Sequence, residues 1–432
     1  MREKLGYPSL GRARYAQYVL GAIALLSTMD IGIVALLLEP IKHDLALTDV
    51  QAGIANSTSY AAAYGLLSLP MGLLVDRMNR VRLVFVAMLI WCVSLGLAAS
   101  ATGFWTLALA KATMGTATAV LLPAALSLFG DYFAPDRRAS ATATYPLGQI
   151  LGSAAAVLIG GLGFDALSRI HAADSHALGG MTPWRAVFAL AAIMATPIMG
   201  LILFMREPKR MEVREQGRAT WHELWAYRDF LCPLLISVVF LSGLSSSVAT
   251  WGAPALMRLY GQQPGDFAGW FAAVTLGAGI VGVTASGRLV DWARRNGDYS
   301  AVMLPAAVAA LVCAPASTMA LASNVKLFAV GMTIFQLAAA VAIVVPVIAI
   351  NFRIPNELRG RTFGLYVIAA AIGGSLAAPT VATLSKFLGG EAMLGRAMAG
   401  VGVPLALLAA LCLAMTLRSS RKGPAQAVSA MS

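Results

Sequence analysis

Two side chains of opposite charge lie within long apolar stretches in the first half of the chain. Asp30 belongs to the stretch 17–38 and Lys111 to the stretch 105–127. In membrane-spanning helices of opposite direction, they would lie about 12 Å and about 9 Å from the same surface. A charge at the centre of such a helix costs roughly 3 kcal/mol or more. We therefore predict that Asp30 and Lys111 form an ion pair.

This pair could carry proton-coupled chemistry. The ammonium group of Lys111 would bind an anionic group, while the carboxylate of Asp30 would titrate and compete for the same cation. Protonation of Asp30 would then free Lys111. Two structural alternatives remain open: the pair only holds the two helices together, or Lys111 extends to the membrane interface.

Uncharged polar side chains in the apolar stretches could complete a binding cavity. Those with a larger polar or aromatic surface are the better candidates, because Ser and Thr often hydrogen-bond to their own helix. The candidates for coupling and binding, besides the charged pair, are Thr118, Tyr145, Gln149, Trp251 and Gln336. A cavity that is otherwise apolar favours an amphiphile or a hydrophobic anion over a sugar.

The residue types that enzymes and metal sites need are absent from the apolar stretches in any usable pattern. These stretches contain no His or Cys dyad, no paired carboxylates and no HExxH spacing, and the four histidines fall in loops or tails. We therefore expect no enzyme, no metal and no cofactor. The net charge of +12 does not indicate a nucleic-acid partner, because no soluble segment is long enough to build a basic face.

A pattern of Gly, Asp and Arg at four-residue intervals occurs in one loop of each half. Gly72, Asp76 and Arg80 form it in the first half, where Arg77 adds a second arginine, and Gly287, Asp291 and Arg295 form it in the second. Glycine allows a neighbouring helix to approach, and the carboxylate can face an arginine or a helix N-terminus. The pattern predicts a conformational latch between two bundles, or else a solvated basic loop.

Twelve apolar segments must position these groups. The chain has 432 residues, of which 59% are hydrophobic and 12% charged, and each crossing of a bilayer needs about 20 apolar residues. The segments are 17–38, 53–73, 83–101, 105–127, 139–162, 186–205, 230–257, 267–287, 300–321, 327–350, 362–385 and 396–417. We predict an all-α polytopic membrane protein with two six-helix bundles.

The distribution of basic residues predicts the orientation. With a cytoplasmic N-terminus, the inner loops and tails carry 24 of the 32 Lys and Arg residues, as the positive-inside rule requires. Both termini are then cytoplasmic. The predicted parts are a bundle 1–205, a cytoplasmic linker 206–229, a bundle 230–417 and a tail 418–432.

The segment Gly72 to Arg82 resembles the hallmark loop of the major facilitator superfamily, whose fold has twelve helices in two bundles. Within it, the chain is similar to bacterial Spinster-like proteins. That likeness rests on Met29–Asp30, Leu38–Lys42, Tyr64–Gly72, Pro123–Ala124, Asp131–Phe133, Gly148 and Gly152. The resemblance implies a monomeric secondary transporter of the bacterial inner membrane that moves an amphiphilic solute, often with proton coupling.

The chain departs from the Spinster pattern at charged positions. Ile31 and Lys111 replace arginines that are usual in that family, and Thr118 stands where its glutamate falls. Two other functions therefore stay open. One is a drug or metabolite efflux antiporter, although the fifth segment lacks the proline typical of those proteins. The other is a receptor or assembly factor that no longer transports.

Overall fold

The computed structural model describes residues 7–211, 221–295 and 302–421. Within these ranges the chain is helical and has no β-strand. Twelve of the described helical spans are long and apolar enough to cross a membrane. The predicted fold class is therefore confirmed.

Each predicted segment corresponds to one of the long helices, and short helices occur between some of them. The helices are α1 (Leu10–Leu36), α2 (Leu38–Asp44), α3 (Asp49–Gly53), α4 (Ser59–Arg77), α5 (Arg80–Ala99), α6 (Phe104–Tyr132), α7 (Pro135–Thr142), α8 (Thr144–Ala173), α9 (Pro183–Leu203), α10 (Trp221–Trp225), α11 (Arg228–Tyr260), α12 (Pro264–Arg295), α13 (Leu304–Ala316), α14 (Val325–Arg353), α15 (Asn356–Leu388) and α16 (Leu394–Arg421). A single π-helical turn, Ile54–Thr58, joins α3 to α4.

Most of the long helices extend beyond the apolar segments that predicted them. For example, α1 begins at Leu10 instead of residue 17, and α12 runs to Arg295 instead of residue 287. Hydropathy marks only the part of a helix that lies in hydrocarbon, whereas backbone hydrogen bonding continues into the polar interface. The α5 terminus shows how such an end is fixed, because the Asn79 side chain caps it by accepting from the Arg82 N–H at 2.9 Å.

The chain divides into two compact units. One comprises Met1–Val213 with Gln262–Leu276, and the other comprises Arg214–Gly261 with Gly277–Ser432. Compared with the predicted bundles 1–205 and 230–417, the beginning of α12, up to Leu276, groups with the first unit. The reason is close packing on α8, where a Cβ at Gly161 would lie 2.6 Å from that of Ala268.

Small residues set the contact between α1 and α8 in the first unit. A Cβ at Gly148 would overlap the carbonyl oxygen of Gly21, and one at Gly152 would overlap that of Leu25. In lipid, where apolar burial contributes little to helix association, such backbone approach provides the van der Waals contact. This seam determines where α1 holds Asp30.

In the second unit, glycines likewise bring α11 and α15 into close backbone contact. A Cβ at Gly373 would overlap the carbonyl oxygen of Val239, and one at Gly243 would lie 3.2 Å from the carbonyl oxygen of Gly373. In each unit the first and fifth long helices therefore meet through glycines, as expected for a repeated fold.

Large apolar side chains cover much of the exposed surface. Trp105, Leu66 and Phe387 are 81%, 78% and 84% exposed. A soluble protein rarely exposes so many large apolar side chains to water. Hydrocarbon is the environment that suits this surface.

We expect Gly152→Ala to destabilise the protein by about 1–3 kcal/mol, because its methyl group would collide with the α1 backbone. Gly163→Ala is the matched control on the same helix, where no described atom lies within 4 Å of the added methyl group. The thermal unfolding midpoint in detergent measures the difference. Equal midpoints for the two variants would contradict the close packing of α1 on α8 at Gly152.

Candidate functional site in the first unit

Asp30 and Lys111 are in direct contact. The Nζ atom of Lys111 donates to Oδ2 of Asp30 at 2.7 Å, and the two side chains are only 1% and 2% exposed. The contact joins the last third of α1 to the first third of α6. Lys111 therefore does not extend to the surface, and the two opposite charges compensate each other away from water.

The carboxylate of Asp30 is only half satisfied. Its Oδ1 atom is buried and has no hydrogen-bond partner among the described residues. A buried carboxylate oxygen without a donor is unfavourable, since an ionised carboxylate can accept several hydrogen bonds. Oδ1 is the atom at which a proton, or a donor from a bound solute, would relieve that cost.

Two of the uncharged candidates belong to the surroundings of this pair. The Tyr60 side chain interacts with the Thr118 hydroxyl and lies within electrostatic range of Asp30 and Tyr145. Tyr145 in turn interacts with the hydroxyl of Ser27. Tyr145 is buried and Tyr60 is half-buried, so their hydroxyl groups form a polar lining in an otherwise apolar core.

Ser27 was missed by the sequence reasoning, whereas Tyr60 was one of the weaker polar candidates for a cavity in the second apolar segment. Ser27 lies three residues before Asp30, a spacing that puts two side chains on one face of a helix. That spacing could have identified it. Tyr60 had a weaker signal, because an aromatic residue in a membrane helix more often packs than binds.

The backbone around the pair is set by small residues and by the π-helical turn. Gly115, one turn after Lys111 on α6, packs directly on the Tyr60 carbonyl of α4. A Cβ at Gly32, two residues after Asp30, would lie 2.5 Å from the Cβ of Ala156. The turn Ile54–Thr58 ends just before Tyr60, and such turns occur often at functional sites.

Gln149 contributes through its backbone. Its carbonyl oxygen accepts from the Thr28 hydroxyl at 3.1 Å and from the Ser153 hydroxyl at 3.0 Å. The bond to Thr28 ties α8 to α1 close to Asp30. The Gln149 side chain is half-buried.

Trp251 and Gln336 belong to the second unit. Trp251 is fully buried, and its indole Nε1–H donates to the Ala378 carbonyl at 2.9 Å, which links α11 to α15. The Arg258 guanidinium lies over its ring, with Cζ 5.6 Å from the centroid. The polar atom of Trp251 is thus used in packing, and Gln336 is half-buried on α14.

Arg80 is the buried member of the predicted latch in the first half. Its guanidinium donates to Asp131 at the end of α6 and, through Nε at 2.6 Å, to Glu207 after α9. Asp131 also accepts from the Met211 backbone N–H at 2.9 Å. This cluster ties α5, α6 and the segment after α9 together inside the first unit.

The other latch residues are more exposed. At the end of α4, Asp76 and Arg77 are exposed and Gly72 is half-buried. On α12, Gly287 is half-buried and Asp291 is exposed. The side chain of Arg295 lies outside the described residues. A role for this pattern as a latch between bundles stays a prediction.

Comparisons with known proteins define the class to which this arrangement belongs. A model of the Major Facilitator Superfamily matches residues 20–378. The chain therefore belongs to the Major Facilitator Superfamily and is a multi-pass membrane transporter for a small-molecule solute. Transporters of this family are not generally enzymes.

Individual relatives agree with that assignment. An MFS-type efflux pump of Mycolicibacterium smegmatis is 25% identical over 410 residues, which cover 93% of this chain and 92% of the pump. Protein spinster homolog 1 of Xenopus tropicalis is 26% identical over 292 residues, which cover 61% of this chain and 52% of the relative.

A solved structure shows the same fold. The bacterial homolog to the human lysosomal transporter Spinster, in an inward-facing and unoccupied conformation, aligns with a TM-score of 0.77 over 96% of this chain and 98% of that one. The sequence identity is 19%, so the match speaks for the fold alone. Together with the Xenopus relative, it confirms the resemblance to Spinster-like proteins.

We expect Lys111→Met to lower stability by about 3 kcal/mol, because it leaves Asp30 buried without a cation. The double variant Asp30→Asn, Lys111→Met should recover most of that loss, because no charge is then buried. Thermal unfolding midpoints in detergent measure both. A single variant as stable as the wild type would contradict the burial and pairing described for Asp30.

Proposed function

We propose that the chain is a secondary active transporter that moves a small amphiphilic or organic-anion solute across the bacterial inner membrane by alternating access, coupled to protons. The observation that carries the proposal is the buried contact of Asp30 with Lys111. The family assignment supports transport. The apolar core around the pair supports a solute that is itself largely apolar.

Lys111 is the docking point for the anionic group of the solute. Its ammonium group is the one cation in the pair, and it donates to a single oxygen of Asp30, so its other protons are available to a ligand. The Tyr60 and Tyr145 hydroxyl groups supply further hydrogen bonds. The apolar part of the solute lies against the surrounding aliphatic side chains.

Asp30 is the proton carrier. While it is ionised, it neutralises Lys111 and competes with the solute for that cation. When Oδ1 takes up a proton, the ion pair is lost and Lys111 is left as a buried, uncompensated charge. An anionic group then replaces the carboxylate at Lys111, so the proton and the anion stabilise each other's binding.

This linkage fixes the sign of the pH dependence. One proton bound at Asp30 favours one anion bound at Lys111, so the affinity for an anion rises as the pH falls. A ligand that binds differently to the two access states shifts the equilibrium between them. Co-binding of a proton and an anion therefore describes a symporter.

A drug or metabolite efflux antiporter is the second candidate, and the Mycolicibacterium smegmatis relative described as an efflux pump favours it. In that mechanism, a cationic amphiphile competes with the proton for Asp30. The affinity for the solute then rises as the pH rises. The sign of the pH dependence separates the two functions.

The proposal includes an orientation and a state of assembly. Both termini lie in the cytoplasm, because that orientation puts most of the basic residues on the cytoplasmic side. The protein acts as a monomer.

The test compares dodecyl phosphate with dodecyltrimethylammonium, which share one chain length and differ in charge. For the wild type, dodecyl phosphate affinity should fall by up to about tenfold per pH unit as Asp30 loses its proton. Asp30→Asn should bind it tightly at every pH, and Lys111→Gln should lose binding at every pH. Equilibrium binding to purified protein and counterflow in proteoliposomes provide the two measurements.

The surface pair Asp165–Arg169 offers matched controls. Its atoms are also 2.7 Å apart, but the Arg169 side chain is 80% exposed, so Asp165→Asn and Arg169→Gln should behave like the wild type. Unchanged transport and pH dependence in both Asp30→Asn and Lys111→Gln would refute the proposed mechanism. Tighter binding of dodecyltrimethylammonium at high pH would instead favour the antiporter function.

A further inference from the structure

A cleft of about 420 Å³ opens on the side of the first unit, away from the Asp30–Lys111 pair. It lies between the beginning of α5 and the end of α9. Its lining includes Asn79, Arg82, Phe85, Val86, Leu203 and Glu207. The transport mechanism makes no use of this cleft.

One wall of the cleft is apolar and faces outward. Val86 and Leu203 are 48% and 68% exposed, and Phe85 lies between Arg82 and Val86 on α5. On a membrane-spanning helix, exposed side chains of this type face hydrocarbon. An acyl chain would complete the packing of this wall.

The other end of the cleft is basic. Within the described part of the chain, the Arg82 guanidinium makes no hydrogen bond or ion pair; only its backbone N–H is engaged, by Asn79. Arg82 lies in the first turn of α5, where the helix dipole also favours an anion. Two further basic residues of the segment after α9, Arg206 and Lys209, are exposed.

The acidic residue in the lining, Glu207, is paired with Arg80, and no described ion pair joins it to Arg82. Glu207 accepts from Arg80 Nε at 2.6 Å and from the Val81 backbone N–H at 3.0 Å. Both of its oxygens are therefore already engaged by donors inside the unit. The free cation at the mouth of the cleft remains that of Arg82.

We propose that this cleft is a binding site for an anionic phospholipid of the bilayer, with the phosphate at Arg82 and one acyl chain along Val86 and Leu203. A basic group next to an apolar, outward-facing wall matches the two parts of such a lipid, and basic clefts between membrane helices bind anionic headgroups. A free anion would leave the apolar wall uncovered. Because Glu207 contacts both the cleft and Arg80, binding of the lipid would also stabilise the N-terminal end of α5.

The test measures lipid binding to the purified full-length chain by native mass spectrometry. The probes are phosphatidylglycerol and phosphatidylcholine with identical acyl chains. The wild type should prefer phosphatidylglycerol, and Arg82→Gln should lower that affinity by about tenfold, the loss expected for one charge-assisted contact. Arg137→Gln removes the same charge from an exposed site on α7 and should retain the preference.

A second variant tests the apolar wall without changing charge. Leu203→Trp fills the cleft and should weaken phosphatidylglycerol binding as well, while the melting temperature without lipid stays close to that of the wild type. Glycerol phosphate, which is the headgroup without chains, should not compete. Equal phosphatidylglycerol affinity in Arg82→Gln and Arg137→Gln would overturn the site, and effective competition by glycerol phosphate would overturn its assignment to a lipid.

Discussion

A charge removed from water needs a partner, and in this protein that requirement is met at the contact of Asp30 with Lys111. The pair lies between α1 and α6 with both side chains almost completely buried. Desolvation makes it sensitive to any change in either charge, because neither partner can turn to water instead. In the proposed mechanism, the same desolvation makes the pair respond to a proton and to an anionic solute.

The rest of the first unit supports that contact through small residues. Gly148 and Gly152 bring α8 against α1, and Gly115 brings α4 against α6. Side chains at these positions would push Tyr60 and Tyr145 away from the pair. The glycines therefore have a functional consequence in the proposed mechanism, although none of them has a polar side chain.

The parts of this structure that lipid dictates were predictable from the sequence, since hydrocarbon thickness sets the length and polarity of each helix. The charged pair was predictable because ionisable residues are rare in such helices. The partners of Arg80 were not, because Asp131 and Glu207 lie 51 and 127 residues away and several exposed carboxylates were equally plausible. The π-helical turn Ile54–Thr58, which ends just before Tyr60, has no hydropathy signal and could not be predicted.

In the proposed mechanism, Asp30 gains a proton when an anionic amphiphile takes its place at Lys111. Infrared difference spectroscopy of the reconstituted protein observes this directly, through the carbonyl stretch of a protonated carboxylic acid. This band should appear on addition of dodecyl phosphate and should be absent in Asp30→Asn. No carboxylic acid band on binding, or a band that persists in Asp30→Asn, would contradict it.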